Sequence, residues 1–246
     1  MAELDRPTIA ARPGTAAAID EGLRSYMLKV YNYMGIGLAV TGLVAYFGSA
    51  AAVTADGTAL TAWGALIYQS PLMWVIALAP LAFVMVLSFG INKLSVGAAQ
   101  ITFWAFAAIM GLSMSSIFMV YTDASIAKVF FITAATFGAM SLWGYTTKRD
   151  LTNMGTFLFM GLIGLIIAMV VNIFLASSAL EFAISAVGVL IFVGLTAYDT
   201  QKIKESYSAS HGADALAKGA IMGALSLYLD FINLFMMLLR LFGNRE

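Results

Sequence analysis

Three features of the sequence predict an all-α membrane protein of seven transmembrane helices. Its apolar runs are long enough to cross hydrocarbon, its charges gather in the short segments between them, and a lone carboxylate, Asp230, sits inside the last run. Apolar residues make up 61% of the chain and charged residues 11%, against roughly 45–50% and about 25% in an average soluble domain. Cysteine is absent, which removes disulfide frameworks and thiolate metal sites from consideration. The formal net charge is zero, so no global field recruits nucleic acid or acidic ligands.

Residues 1–25 carry Asp5, Arg6, Arg12, Asp20, Glu21 and Arg24, together with Pro7 and Pro13. They lack both an apolar core and a small-residue cleavage site, so they read as a short polar tail rather than a signal peptide, leaving residues 26–246 as the membrane domain. The first span runs from Val30 to Val53 without a charge and is rich in glycine. A connection over residues 54–70 holds Trp63 and Tyr68, aromatic residues suited to the membrane surface, where a short interfacial helix is expected. Pro71 ends it. The second span, Leu72 to Ile91, contains Pro80, which removes one helix donor and predicts a kink.

The third span covers residues 95–121 and the fourth residues 128–145, separated by a turn around Asp123. Gly97, Gly111, Ser113 and Ser115 permit close helix contacts in the third. The fifth, Met154 to Ala176, has Asn172 as its one strongly polar residue; the sixth starts near Glu181 and runs through Asp199; a polar loop with His211 leads to the seventh, Gly219 to Phe242. With the amino terminus inside, Arg6, Arg12, Arg24, Lys29, Lys93, Lys148, Arg149, Lys202, Lys204 and Lys218 are cytoplasmic, ten of the thirteen basic residues. That bias predicts a cytoplasmic amino terminus. Arg240 and Arg245 run against it, and a re-entrant last segment is the alternative.

An aspartate at the centre of a membrane helix costs ~2.5–3.5 kcal/mol on insertion scales, so Asp230 is read as functional, with a partner to be found. At helical spacing Gly219, Gly223, Ser226, Asp230, Asn233, Met237 and Arg240 share one face, a small and polar seam. Gly219 and Gly223 on it read as a tight packing contact. Asp199, in the sixth span, lies ~12 Å from that helix's inner end, and Asp230 ~18 Å in from Lys218 on the way back. Helices joined by a short loop pack antiparallel, which brings both carboxylates to one cavity. They cannot both ionise cheaply there, so the pair holds a shared proton or a cation in its place. Oxygen ligands suit Ca²⁺, and Ser226, Asn233 and backbone carbonyls can add to the two carboxylates. The plainer readings are an interfacial Asp199 paired with Lys202 and an Asp230 hydrogen-bonded to Asn172 or a serine. His211 is alone in its loop and reads as no site.

Tyr198, Asp199, Thr200, Gln201, Lys202 and Ile203, followed by the run Leu225 to Phe235 and by Leu238, Leu239 and Arg240, resemble the Bax inhibitor 1 family, also called the transmembrane Bax inhibitor motif family. The seven spans and the Asn172, Ile173, Phe174 element also match; residues 1–25 carry no family signal. The resemblance implies six helices around a central seventh and a non-enzymatic, pH-sensitive calcium leak controlled by an aspartate pair, here Asp199 and Asp230, with no resident cofactor. It implies a basic group near the end of the last helix that helps close the pore, matched by Arg240, although the second span offers no acidic partner for it. The compact chain is similar to bacterial members of the inner membrane, some of which resemble a modulator and substrate of a membrane-bound ATP-dependent protease. Residues 1–25 suit that alternative role as an initiation site. An H⁺/Ca²⁺ exchanger is a further alternative, as is an intramembrane aspartyl protease. Tyr198 and Asp199 match half of what the protease needs, but Asp230 follows Leu227, Tyr228 and Leu229 instead of a Gly-x-Gly pattern.

Overall fold

The computed structural model describes residues 13–55 and 59–245, with side chains from Asp20 onward. Eight helices follow one another: α1 (Pro13–Ala52), α2 (Ala62–Tyr68), α3 (Leu72–Gly90), α4 (Val96–Met114, continued by a 3-10 turn Ser115–Met119), α5 (Asp123–Thr146), α6 (Thr152–Leu175), α7 (Ser178–Ser206) and α8 (Ala213–Phe242). Among the described residues seven of these are long and apolar enough to cross a membrane, all but the short α2. The protein is an all-α integral membrane protein, and its only extended pairing in the described residues is two isolated bridges.

Boundaries follow from capping. Ser95, Thr122 and Ser177 each accept a hydrogen bond from the backbone N–H three residues on, of Ala98, Ser125 and Leu180, which satisfies donors the first helical turn leaves free. The cap at Thr122 starts α5 at Asp123, so the turn expected around that residue lies just before it. The helix runs on through Pro80, which is buried inside α3.

The first helix differs most from expectation. It begins at Pro13, a residue favoured in the first helical turn, and no breaker follows. Residues 13–25 are therefore its opening turns, with Asp20, Glu21 and Arg24 exposed and Tyr26 buried against Tyr207 at 5.5 Å between ring centroids. The remainder of the expected tail, residues 1–12, lies outside the described residues. The last segment is one unbroken helix of 30 residues, about 45 Å long at 1.5 Å per residue, against ~30 Å of hydrocarbon. That length is enough to cross the bilayer, and the helix has no turn at which to re-enter.

Most spans offer lipid one face: between 6% and 39% of each apolar window is buried, but in α8 the figure is 72%. α8 is thus enclosed by the bundle, and it packs against α1, α3, α4, α5 and α7. Successive residues point at different neighbours. Phe231 stacks edge-on with Phe130 and Phe137 of α5 at 5.5 Å each. Tyr228 is fully buried between Phe103 and Phe106 of α4, with centroids 6.3 and 5.1 Å away. The Thr41 hydroxyl of α1 donates to the Ala107 carbonyl at 2.8 Å, so the Tyr228 hydroxyl, 2.6 Å from it, donates to Thr41. Where backbones come closest there is glycine: a Cβ on Gly144 would meet the Ala197 carbonyl oxygen, and one on Gly111 the Thr41 carbonyl oxygen.

Unequal costs follow for the two ends of the Thr41–Tyr228 bond. Thr41→Val strands the buried Tyr228 hydroxyl and should destabilise by ~1–3 kcal/mol, whereas Tyr228→Phe leaves Thr41 bonded to Ala107 and should cost ~0.5–1.5 kcal/mol. Thermal unfolding in detergent, followed by helical circular dichroism, should rank Thr41→Val below Tyr228→Phe.

Candidate functional site

The site is built on α7 and α8, joined by the short loop 207–212 and packed antiparallel along much of their length. Two glycines set their register. A Cβ on Gly223 of α8 would stand 3.1 Å from Ile203 of α7, and a Cβ on Gly188 of α7 would stand 2.9 Å from Met237 of α8. Asp230 is seven residues from both Gly223 and Met237, so it stands level with Leu195 and Thr196. Asp199 is one helical turn, ~5 Å, nearer the loop. Asp199 lies at helical spacing from Ile203 and Gly188, and Asp230 from Gly223 and Met237, so both residues are on the faces that α7 and α8 turn to each other.

Asp230 is 5% exposed, and its Oδ2 is buried with no hydrogen-bond partner among the described residues. Asp199 is half-buried. Lys202 acts on Asp199 electrostatically but forms no ion pair with it; its ammonium lies over the Tyr198 ring, 5.9 Å from the centroid. Neither plainer reading describes what is seen: Lys202 is turned to an aromatic ring, and no bond joins Asp230 to Asn172 or to a serine.

Of the residues expected to support the pair, Ser226 and Asn233 share the α8 seam and are half-buried on either side of Asp230. The Asn233 amide donates to the Leu229 carbonyl of its own helix at 2.8 Å, leaving its side-chain oxygen free of that bond. Asn172 and Arg240 are elsewhere. Asn172 closes α6: its side-chain oxygen accepts the Ser177 N–H at 3.1 Å and its carbonyl accepts Ala176 N–H at 2.8 Å, across the left-handed Ala176. Arg240 is exposed and shares with Asn172, Glu181 and Ile184 a cavity of about 430 Å³ at the far end of α7 and α8. Eighteen residues of α7 separate Glu181 from Asp199, ~27 Å of helix.

Residues that sequence reasoning did not assign surround Asp199. Thr200 donates to the Thr196 carbonyl at 2.7 Å, so Ser141 of α5, 2.9 Å away, donates to Thr200, and Tyr31 of α1, 2.6 Å from Ser141, donates to Ser141. Hydroxyl groups from three helices thus form a directed chain ending on the backbone of α7. Two residues past Asp199, the buried Gln201 clamps the α5–α6 turn: it accepts the Leu151 N–H and donates to the Arg149 carbonyl, both at 2.8 Å. The signal available for these roles is weak. A threonine and a glutamine beside the aspartate mark the segment as special, but nothing in their spacing names Ser141, Tyr31 or Leu151.

The family described as inhibitor of apoptosis-promoting Bax1 matches residues 23–246. The chain belongs to that family. Among Bax inhibitor-like relatives, it is 49% identical over 228 residues to the inner membrane protein YbhL of Escherichia coli K12, covering 92% of this chain and 94% of that one. It is 48% identical over 227 residues to the protein RP147 of Rickettsia prowazekii, with 92% of each chain covered. A protein of Caulobacter vibrioides is 46% identical over 231 residues.

Removing the Gln201 clamp leaves the buried Leu151 N–H and the Arg149 carbonyl without their partners, a loss of ~1–3 kcal/mol. Gln201→Ala should therefore speed hydrogen exchange at the Leu151 amide and tryptic cleavage at Lys148 and Arg149, while protection within α8 stays at the wild-type level.

Proposed function

We propose that the protein is a pH-sensitive leak pathway for Ca²⁺ or a similar cation in a bacterial inner membrane, with its amino terminus in the cytoplasm. One observation carries the reading: a carboxylate buried to 5% exposure, with an orphaned oxygen, shares an interface with a second carboxylate. A buried polar atom without a partner is costly, and a positive guest relieves it. Proton and cation compete for the same oxygens, so a rising proton concentration empties the pair of cation. Asn233 and Ser226 stand at hand to complete an oxygen-rich shell. Among the described residues the pair has no third carboxylate or histidine beside it, and two carboxylates suit a passing ion better than a resident one.

Membership of the Bax inhibitor family, the inner-membrane location of the YbhL relative and the inward bias of the basic residues support the membrane and the orientation. The chain acts here without catalysis: the buried oxygens hold and release an ion, and no nucleophile is activated.

The test is flux into proteoliposomes loaded with a calcium indicator. Asp230→Asn and Asp199→Asn should each lower Ca²⁺ flux at neutral pH roughly tenfold or more, since charge count sets affinity for this ion, and should flatten its dependence on pH. Flux and pH response equal to wild type in both variants would remove the pair from the pathway.

A further inference from the structure

A second cavity, of about 570 Å³, opens between α1 and α5 on the side of the bundle. Its floor is Met27 and Phe137, both buried, and its lips are Leu28 and Leu142, which are 52% and 64% exposed. Both helices are membrane spans, so the mouth faces lipid. α1 and α5 touch little along this stretch, and the Tyr31–Ser141 hydrogen bond bridges the gap at its back. Two of the three lining hydroxyls are engaged: Tyr31 is bonded to Ser141, and Ser141 to Thr200. The interior therefore suits an apolar chain better than water.

One group at the rim is not engaged. Arg24 lines the cavity at its outer end, is exposed, and has no ion-pair or hydrogen-bond partner among the described residues. Arginine binds phosphate through a planar fork of donors, and its stem lies readily along apolar surface at a membrane boundary. A pocket of this volume falls within the roughly 300–1,000 Å³ of ordinary ligand sites. An acyl-sized apolar slot open to the bilayer, with an unpaired cation at headgroup level, has the charge and polarity pattern of a phospholipid.

From this geometry we infer that the α1–α5 groove is a binding site for an anionic phospholipid, with one acyl chain between Met27 and Phe137 and the phosphate on Arg24. The inference is independent of ion conduction. Arg24 supplies the preference for an anionic headgroup, and the groove supplies the binding that all acyl lipids share. Gly138 lines the cavity, and a Cβ built there meets nothing within 4 Å, so a side chain at this point of α5 starts in open space and grows into the slot.

Native mass spectrometry of the full chain in detergent, titrated with phosphatidylglycerol and with phosphatidylcholine of the same acyl chains, tests it. The wild type should hold its first phosphatidylglycerol about fivefold more tightly than phosphatidylcholine, the size expected from one basic residue near the headgroups. Arg24→Gln should bring that ratio to about one, weakening phosphatidylglycerol about fivefold and phosphatidylcholine, whose choline already offsets the same phosphate, by less. Gly138→Phe should weaken both lipids several-fold by filling the slot, and Gly138→Leu serves in its place if the larger ring lowers helicity. Wild-type affinities in the Gly138 variant, or a headgroup preference that survives Arg24→Gln, would overturn the site and leave only an annulus of unspecific lipid.

Discussion

A carboxylate buried on the most enclosed helix of the bundle is the constraint from which the remaining features follow. Asp230 is 5% exposed on α8, which packs against α1, α3, α4, α5 and α7, and one of its oxygens is bonded to nothing among the described residues. Polar groups in that position are expensive, and apolar replacement would stabilise the bundle. The surroundings hold α8 in place on its other sides. Tyr228 joins it to α1 through Thr41 and to α4 through Phe106, and Phe231 joins it to α5, contacts that a rotation of the helix would break. What remains open to adjustment is the α7 side, where Asp199 stands one turn away.

The α7 side is also the most polar seam of the molecule. Thr196 and Thr200 bond back to their own helix, Ser141 of α5 reaches Thr200 and Tyr31 of α1 reaches Ser141, and Gln201 ties the α5–α6 turn to the same stretch. Each of these groups is satisfied, in contrast to the Asp230 oxygen and to the buried Ser185 hydroxyl farther along α7, which have no partner among the described residues. The opposite end is built differently. There Arg245 pairs with the exposed Glu181 at 3.4 Å and lies over Tyr121, while Asn244 donates to Ser125. The carboxyl-terminal residues thus bind the start of α7 to the start of α5, where Arg240 and Asn172 also stand. Exposed ion pairs of this kind contribute little energy, so this end is held chiefly by the backbone contacts around Thr122 and Asn244.

Much of this was legible from residue order alone. Span positions follow from apolar run length, although the helices start several residues earlier than the apolar runs, at Asp123 in α5 and Ala213 in α8. The α8 seam followed from spacing, and the antiparallel α7–α8 contact from a six-residue loop, because both are local arguments. Partners at long range were not legible. Tyr31 and Ser141 are 110 residues apart, and Ser141 and Thr200 are 59 apart; periodicity tells which face a residue occupies but not which helix covers it. Asn172 illustrates the same limit. Its polarity marked it as notable, but its work is to close α6 around Ala176. The helical start at Pro13 was not legible: charge density marks residues 1–25 as polar but does not say whether they are helical, and α1 extends outward through Asp20 and Glu21.

The most direct measurement is a double-mutant cycle on equilibrium Ca²⁺ binding by the purified protein, comparing Asp199→Asn, Asp230→Asn and the double variant. If the two carboxylates act as one unit, either single change removes most of the binding and the double change costs little more. Losses that simply add would mean that the acids work at separate places, and the shared site would have to be abandoned.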